Sequence, residues 1–431
     1  MTAEHVLSPE FWRSFTENQF ERSPLVLKQP FSTPLATTAE VFQGLVNASE
    51  QYRAGIRLPP LRFYIGQAWQ QAEIGNYLLE AADGSLACYA ERISRKLQGR
   101  RFGLIVNEYQ SYIPEIWFRI RNFLRGLYAV VGIPPNQSDT TIFLGNYERT
   151  PFGLHKDPLS VFTFVIEGQK RIVAWPDEVF HDRPEMHDSL DYEQFLGRAT
   201  VLEAAAGDLI YWPSSHWHIA ESTGELSLSL TVGIDFGFYS PIHIFSSVVR
   251  MLQNRLLSSG TVDAQPLDYE NRHQSADRLH GIIERAAQAL SDVSREAELE
   301  QTLRVAWMNH VTSFGFDGVP PPLPPIRLND QDAVRVDSNF PLMWLTDDDD
   351  EIICSANGHA FSITAHPNIA KLFEELNKGD AHLVKRLVRE YAGTKRVADV
   401  EYQLSRKEIR ALLEKLCSLR AIHRQLSKNG S

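Results

Sequence analysis

The sequence predicts a mainly β core, built as a double-sheet jelly-roll barrel with flanking helices. A helical region and a C-terminal winged-helix-like domain are predicted to follow it. Between 139 and 236, short segments rich in β-branched and aromatic residues alternate with Gly, Pro or Asp turns. Several short strands at this spacing are typical of a barrel or jelly roll. A proline-rich stretch at 319–327 then separates this part from a smaller unit.

The composition excludes several classes of protein. At 431 residues the chain is too long for one ordinary core, and 43% hydrophobic with 23% charged residues is typical of a globular protein. A net charge of −11 argues against broad nucleic-acid binding, although it leaves room for a local basic face. Three scattered cysteines, no signal-peptide pattern and no long apolar run predict a cytoplasmic protein that does not cross a membrane.

The N-terminal part is predicted to be helical. Serine, proline and glutamate at 8–10 are typical of a helix start, with the serine as cap and proline in the first turn. From about 40 to 130 the pattern is mostly helical, including an amphipathic stretch at 116–131. The prolines at 134–135 end that stretch.

The barrel strands and the elements after them follow from local pattern. Each predicted strand is short, apolar and bounded by turn residues: 140–144, 161–166, 171–175, 208–212 and 226–232. An apolar segment at 242–257 is predicted to be helical, and helical signals continue to about 313.

The C-terminal unit is predicted from turns and capping signals. Two strands at 340–345 and 351–354 flank the acidic run 347–350, which we interpret as a solvated turn. Three helices follow, at 367–377, 380–391 and 405–418. The predicted domains are a domain at 1–240 that holds the barrel and the N-terminal helices, a helical region at 241–318, a linker at 319–327 and a winged-helix-like domain at 328–431.

A possible metal site stands out in the barrel region. On a strand, His155 and Asp157 would point to the same face and could bind one ion. A third ligand must come from another strand, and spacing alone leaves His216 and His218 open. Two histidines and one carboxylate suit iron(II) and leave positions for oxygen and a co-substrate. The competing interpretation is a surface pair and an ordinary core histidine, because a lone His-x-Asp motif is weak.

Two segments resemble the JmjC/cupin group of iron(II)- and 2-oxoglutarate-dependent dioxygenases. These are residues 155–176 and 206–236, and the run GDLIYWPSSHWH at 207–218 resembles the family's metal-binding signature. The resemblance implies that His218 is the third ligand, with His216 as runner-up. It also implies that Lys170, fifteen residues after His155, binds the distal carboxylate of 2-oxoglutarate. Otherwise Lys170 would be a strand lysine that reaches solvent.

The order of parts along the chain is similar to that of the ribosomal oxygenases. This resemblance implies that the domain at 1–240 is catalytic and that the helical region at 241–318 is a dimerising region. One departure concerns the hydroxyl residue that some relatives carry three positions before the first ligand, because here that residue is Phe152. The hydroxyl partner of the co-substrate is therefore unassigned, and the candidates are Thr150, Thr163, Ser229 and Thr231. A polar-aromatic stretch before the barrel (Asn107, Tyr109 and Tyr112) could line a substrate groove, although ordinary packing is the favoured interpretation.

The resemblance implies an Fe(2+)- and 2-oxoglutarate-dependent dioxygenase, with O2 as oxidant and His155, Asp157 and His218 as catalytic metal ligands. The expected reaction is hydroxylation of a C–H bond of an amino-acid side chain in a protein or peptide, by a homodimer. One alternative is a hydroxylase of a small molecule or natural-product peptide. Another is a non-catalytic cupin and winged-helix protein that binds nucleic acid or a peptide leader.

Overall fold

The computed structural model describes most of the chain. The described residues are 7–55, 61–237, 249, 252–253, 287–292, 297–316, 318–337, 339–346, 351–397 and 400–425. Within these ranges, no helix combines the length and the apolar character needed to cross a membrane. Most of the predicted helix at 242–257 and the acidic run at 347–350 lie outside the described residues. The helical dimerising region therefore stays a prediction.

The chain divides into two compact units. The first comprises Met1–Ser240 with Phe314–Pro321, and the second comprises Pro241–Ser313 with Pro322–Ser431. Phe316 joins the first unit through a parallel bridge to Ser138. The amide of Ser138 donates to the Gly315 carbonyl at 2.7 Å.

Four helices flank the barrel in the first unit: α1 (Pro9–Asn18), α2 (Thr38–Arg53), α3 (Leu86–Lys96) and α4 (Pro114–Val131). As predicted, α1 begins at Ser8, whose hydroxyl accepts from the amide of Phe11 at 3.1 Å. The predicted amphipathic helix is α4, which ends before Gly132.

Eleven strands are described in the first unit, and they form two antiparallel sheets. They are β1 (Leu25–Leu27), β2 (Leu61–Ile65), β3 (Ala68–Gln70), β4 (Phe102–Val106), β5 (Ser138–Gly145), β6 (Ser160–Glu167), β7 (Gln169–Pro176), β8 (Thr200–Ala205), β9 (Leu209–Trp212), β10 (His216–Glu221) and β11 (Ser227–Ile234). The larger sheet has the order β1-β9-β6-β11-β5-β4-β2-β3, and the smaller has the order β10-β7-β8. The predicted double-sheet jelly roll is confirmed.

Side-chain alternation decides which face of the larger sheet carries chemistry. In the centre of this sheet, Thr231 of β11 pairs with Thr141 of β5 on one side and with Thr163 of β6 on the other. All three threonines line the cavity between the sheets. The alternate residues, including Phe162 and Phe164, face α4 instead, where the ring of Phe123 lies 5.2 Å from each of theirs. The apolar face therefore anchors the sheet on the helices, and the polar face is left for the site.

The region from 40 to 130 departs from its prediction. It was expected to be mostly helical, yet β2, β3 and β4 lie within it and extend the larger sheet beyond β5. Helices α2, α3 and α4 lie in this region as predicted, but the prediction missed the three strands. These short apolar segments pair with a strand far along the chain, as Leu104 does with Leu144. Local pattern also missed the short strands β1, β8 and β10.

The second unit contains α5 (Ala297–Thr312), α6 (Pro367–Asn377), α7 (Val384–Tyr391) and α8 (Arg406–Ser418). Its strands are β12 (Ala333–Val336), β13 (Met343–Thr346), β14 (Glu351–Ala356), β15 (His359–Thr364), β16 (His382–Leu383), β17 (Gly393–Val397), β18 (Val400–Leu404) and β19 (Ile422–Gln425). They form sheets of order β16-β12-β19, β13-β14-β15 and β17-β18. The predicted pattern of three short helices with small sheets is present, around a core that includes Leu372, Phe373, Leu387 and Leu413.

An ion pair between α2 and α4 makes the stability of the first unit depend on pH. Glu40 accepts two hydrogen bonds from Arg119, and the Arg119 side chain, together with Thr37, lowers the pKa of the Glu40 carboxyl to about 2. Because this pKa lies below its unfolded value, the ionised group stabilises the fold above pH 4.5. That stabilisation is lost as the pH falls towards 2.

We therefore expect Glu40→Gln to flatten the acid side of the stability profile. The free energy of unfolding should fall less between about pH 5 and pH 3 in this variant than in the wild type, measured by urea unfolding. The control is Glu17→Gln, which changes an exposed glutamate of α1. Parallel profiles for the wild type and Glu40→Gln would show that the ion pair does not set the acid sensitivity.

Candidate metal centre

The loop between β5 and β6 carries two of the predicted site residues. Gly153 in this loop has φ +69°, and a Cβ there would lie 2.3 Å from the Asp188 carbonyl oxygen, so only glycine fits. The chain then reaches His155, whose side chain is 16% exposed, and Asp157, which precedes β6. The turn at Gly153 therefore lets the chain bend immediately before His155 and Asp157.

A short backbone bridge joins His155 to His218. The amide of His155 donates to the His218 carbonyl at 3.1 Å, and the amide of His218 donates to the His155 carbonyl at 2.8 Å. His218 itself lies in β10, which pairs with β7 and so belongs to the smaller sheet. The bridge places the two imidazole rings side by side, with centroids 4.3 Å apart.

Each imidazole is oriented by a backbone carbonyl. Nδ1 of His155 lies 3.0 Å from the Gly153 carbonyl oxygen, and Nδ1 of His218 lies 3.3 Å from the His216 carbonyl oxygen. Because a carbonyl only accepts, each Nδ1 donates its proton to that carbonyl, and in the neutral ring the Nε2 then keeps its lone pair. Metal-binding histidines typically donate the proton of the other ring nitrogen to a carbonyl or carboxylate in this way, which fixes the orientation of the ring.

The free Nε2 atoms converge on the carboxylate of Asp157. Nε2 of His155 lies 3.6 Å and Nε2 of His218 lies 3.8 Å from Oδ2 of Asp157. Three donors at right angles, each about 2.1 Å from an ion, would lie about 3 Å apart. The three donor atoms lie within 4.8 Å of one another, so these three residues could draw together around one metal ion.

The charges of the three side chains suit a cation. Burial raises the pKa of the Asp157 carboxyl, but the neighbouring histidines outweigh it and lower that pKa to about 2, so the group is ionised. Burial and the nearby His155 lower the pKa of His218 to about 3, which keeps this imidazole neutral. Burial lowers the pKa of His155, yet the Asp157 carboxylate outweighs burial and raises it. A carboxylate with adjacent imidazoles is a donor set that binds divalent metals.

The structure bears on two predictions about this cluster: the strand face shared by His155 and Asp157, and the choice between His216 and His218. The prediction that His155 and Asp157 share a strand face was wrong, because both lie in the loop and β6 begins only at Ser160. Spacing left His216 and His218 open, and the structure places only His218 beside the other two. His216 begins β10, and its Nδ1 lies 3.2 Å from the hydroxyl of Ser215.

Lys170 lies at the other side of the same cavity. Its side chain is turned inward on β7 and is only 4% exposed, so it does not reach solvent. Its ammonium donates to the hydroxyl of Tyr147 at 2.6 Å and lies 5.2 Å from the ring centre of Phe143. No carboxylate of the described residues pairs with it. A buried ammonium without a counterion favours an anionic ligand.

The cavity between the sheets measures about 380 Å³ and holds both features. Such a volume is typical of a small-molecule site. Its walls combine polar groups and aromatic rings, among them Arg62, Asn107, Thr141, Phe143, Thr150, Phe152, Thr163, Trp212 and Thr231. The ligand triangle and Lys170 therefore face one cavity.

The four hydroxyl candidates from the sequence have different environments. Thr150 lines the cavity, and its buried hydroxyl has no partner among the described atoms. Thr163 and Thr231 also line the cavity, but their hydroxyls lie 2.9 Å apart and bind each other. Ser229 is buried without a described partner and does not contribute to the wall. Thr150 is thus the candidate that is free to meet a ligand.

Sequence reasoning missed Tyr147, which contacts Lys170 directly. A signal was available, because the alternation of β5 continued past its end places residue 147 on the same face as Phe143. In the polar-aromatic stretch, Asn107 lines the cavity, whereas Tyr109 and Tyr112 are buried. The hydroxyl of Tyr109 donates to the Val41 carbonyl at 2.9 Å, as a packing residue would.

Comparison with known proteins identifies the barrel. Residues 130–240 match the model of the JmjC domain, and no curated protein matches the chain. An X-ray structure of E. coli YcfD is 15% identical, with 97% of this chain and 99% of that one covered and a TM-score of 0.50. A structure described as YcfD, a ribosomal oxygenase from Escherichia coli, in complex with cobalt and 2-oxoglutarate is 15% identical. The match covers 96% of this chain and 98% of the YcfD chain, with a TM-score of 0.49.

These similarities differ in what they show. At 15% identity, the likeness to YcfD shows a shared fold and nothing finer. The match to the family model spans β5 to β11 and includes the three candidate ligands and Lys170. Residues 130–240 of this chain therefore form a JmjC domain, carried on a fold that E. coli YcfD also has.

Proposed function

We propose that this protein is an iron(II)- and 2-oxoglutarate-dependent oxygenase that hydroxylates a C–H bond of an amino-acid side chain in a protein or peptide. One observation carries the proposal. A triangle of two Nε2 atoms and one carboxylate shares a cavity with a buried ammonium that has no counterion among the described residues. The triangle suits a divalent metal, and the ammonium suits a dicarboxylate bound next to that metal.

His155, Asp157 and His218 would hold the iron from one side. They supply three donors, which leaves the remaining positions of a six-coordinate ion open to the cavity. When bound, iron(II) and 2-oxoglutarate supply the oxidising chemistry, in which O2 is consumed, 2-oxoglutarate becomes succinate and carbon dioxide, and a C–H bond is hydroxylated. The carbonyl contacts of both histidines keep the donor atoms aimed at the ion.

Lys170 and Tyr147 would bind the far carboxylate of 2-oxoglutarate. The ammonium contributes a charge-assisted hydrogen bond, and the tyrosine hydroxyl beside it can donate a second one. Thr150 offers a third donor, since its hydroxyl is otherwise unpartnered among the described atoms. Anchoring this end would fix the distance and direction at which the other end of the co-substrate meets the metal.

The aromatic residues around the ligands would keep water away from them. The ring of Phe152 lies 4.9 Å from that of His155, and the ring of Trp212 lies 4.9 Å from that of His218. A dry environment strengthens every charge interaction within the cavity. Phe152 therefore contributes a wall at the position where some relatives have a hydroxyl.

A protein or peptide substrate is proposed because E. coli YcfD, which shares this fold, is described as a ribosomal oxygenase. The test is to incubate the protein with iron(II), 2-oxoglutarate and a panel of peptides that vary one central residue. We expect succinate formation, with one added oxygen atom on a peptide by mass spectrometry. If only free amino acids or other small molecules gain oxygen, the small-molecule alternative is correct instead. Absence of succinate with every substrate would favour the non-catalytic alternative.

The first prediction from the proposed function concerns the metal ligands. With iron(II) and 2-oxoglutarate added without oxygen, the wild type should develop the weak visible band of their complex. Both His218→Ala and Asp157→Ala should lose this band, because each removes one of three protein donors. The matched control is His216→Ala, which removes a neighbouring histidine outside the triangle and should keep the band. A wild type without the band would exclude the proposed cofactor pair.

The second prediction concerns the co-substrate. In the same titration, Lys170→Met should raise the Kd for 2-oxoglutarate by roughly 10-fold to 100-fold, since a hydrogen bond to a charged group contributes about 1.5–3 kcal/mol. Tyr147→Phe should raise it by about 2-fold to 10-fold, as expected for a neutral donor.

Lys156→Met is the control for that titration. Lys156 also lines the cavity, but its ammonium lies 2.7 Å from the carboxylate of Asp177, so it is already paired within the protein. Its substitution should leave the Kd within about 2-fold. An equal increase for Lys156→Met and Lys170→Met would mean that the cavity attracts 2-oxoglutarate by its overall charge and not through Lys170.

A further inference from the structure

A groove in the second unit is lined almost wholly by cations. It measures about 400 Å³ and is bounded by Asp330, Lys385, Val388, Arg389, Arg406, Lys407 and Arg410. Five of these residues are positively charged and one is acidic, in a chain whose formal net charge is −11. The charge at this place is therefore opposite in sign to that of the chain as a whole.

Most of these cations have no counterion among the residues that the structure describes. Arg410 pairs with the Asp330 carboxylate and donates to the Leu328 carbonyl at 2.7 Å. The side chains of the other four are exposed, and none of them makes a hydrogen bond or ion pair with any residue that the structure describes. The acids nearest in sequence are engaged elsewhere, since Glu390 pairs with Arg386 and Glu408 caps α8.

The cations occupy positions that oppose the stability of the two helices. Lys385 and Arg389 lie four residues apart on α7, and Arg406 and Arg410 lie four residues apart on α8. Like charges at this spacing repel each other. Arg406 and Lys407 also lie in the first turn of α8, where the helix dipole disfavours positive charge. Asp330 offsets the charge of Arg410, and Glu408 lies in the same first turn of α8. The other four cations have no acidic partner among the described residues, which points to an anionic partner from outside.

We propose that this groove binds the phosphate backbone of double-helical nucleic acid. Lysine and arginine side chains from two helices can neutralise several phosphates at once, with release of counterions. No aromatic residue appears among the described residues that line the groove, so the base stacking that supports single-strand binding has no platform there. An acidic protein partner would be expected to use apolar anchors as well, and the groove offers only Val388.

Binding of this kind is independent of base sequence, because it uses phosphates and not base edges. It is also independent of the proposed oxygenase chemistry, since every residue that forms the groove belongs to the second unit. The overall charge of the chain argues against broad binding to nucleic acid. A groove of this size confines the contact to a few phosphates on one local face.

The test measures fluorescence anisotropy of the full-length protein with a labelled 20-base-pair RNA duplex, and with a DNA duplex of the same sequence. Four or five phosphate contacts should give a slope of about −4 for log K against log salt. The double variant Arg389→Gln with Lys407→Gln should flatten this slope by about 1.8, because each lost contact contributes about 0.9. A tighter complex with one of the two duplexes would name the nucleic acid.

The matched control is Arg95→Gln with Lys371→Gln. It removes the same number of charges at exposed positions on α3 and α6 that do not line the groove. This variant should keep the wild-type slope, and equal thermal unfolding temperatures would show that both variants are folded. The proposal is overturned if both variants lose affinity equally, if the wild type binds neither duplex at about 50 mM salt, or if poly-glutamate binds more tightly than either duplex.

Discussion

The candidate metal centre depends on two main-chain hydrogen bonds that join His155 to His218. One histidine lies in a loop and the other in a strand of the smaller sheet, so no local rule of sequence brings them together. The bridge fixes both backbones, and a carbonyl next to each ring then fixes the ring itself. The donor atoms are consequently directed by the protein before any ion arrives, which is how a rigid scaffold holds ligand geometry.

The two faces of the larger sheet have different roles: one packs on the helices and the other lines the cavity. Residues of one parity, such as Phe162 and Phe164, pack on the helices, and residues of the other parity, such as Thr163 and Thr231, face the cavity. Because the side-chain period of a strand is two, stability and chemistry can be assigned to opposite faces of the same segment. The same property explains why the polar residues of the site tolerate burial, since they face a cavity that can hold ligands.

Net charge is a poor guide to local charge in this chain. Within the described residues, an excess of acid over base coexists with a buried ammonium at Lys170 and with a cationic groove between α7 and α8. Both features arise because side chains that are far apart in sequence meet in the fold. An average over the sequence cannot contain this information, since electrostatic energies depend on the distance between charges and on their exposure.

The sequence by itself determined β5, β6, β7, β9 and β11, which are apolar and bounded by clear turns. It also determined the start of α1 and the residue types of the ligand triangle. These features depend on neighbours along the chain, which pattern and propensity can describe. The family resemblance favoured His218 over His216, but only the tertiary structure brought His218 beside His155 and Asp157, recruited β2 to β4 into the larger sheet and placed Tyr147 against Lys170. Each of these outcomes depends on pairing between distant segments, where the free energy comes from contacts that the local sequence does not contain.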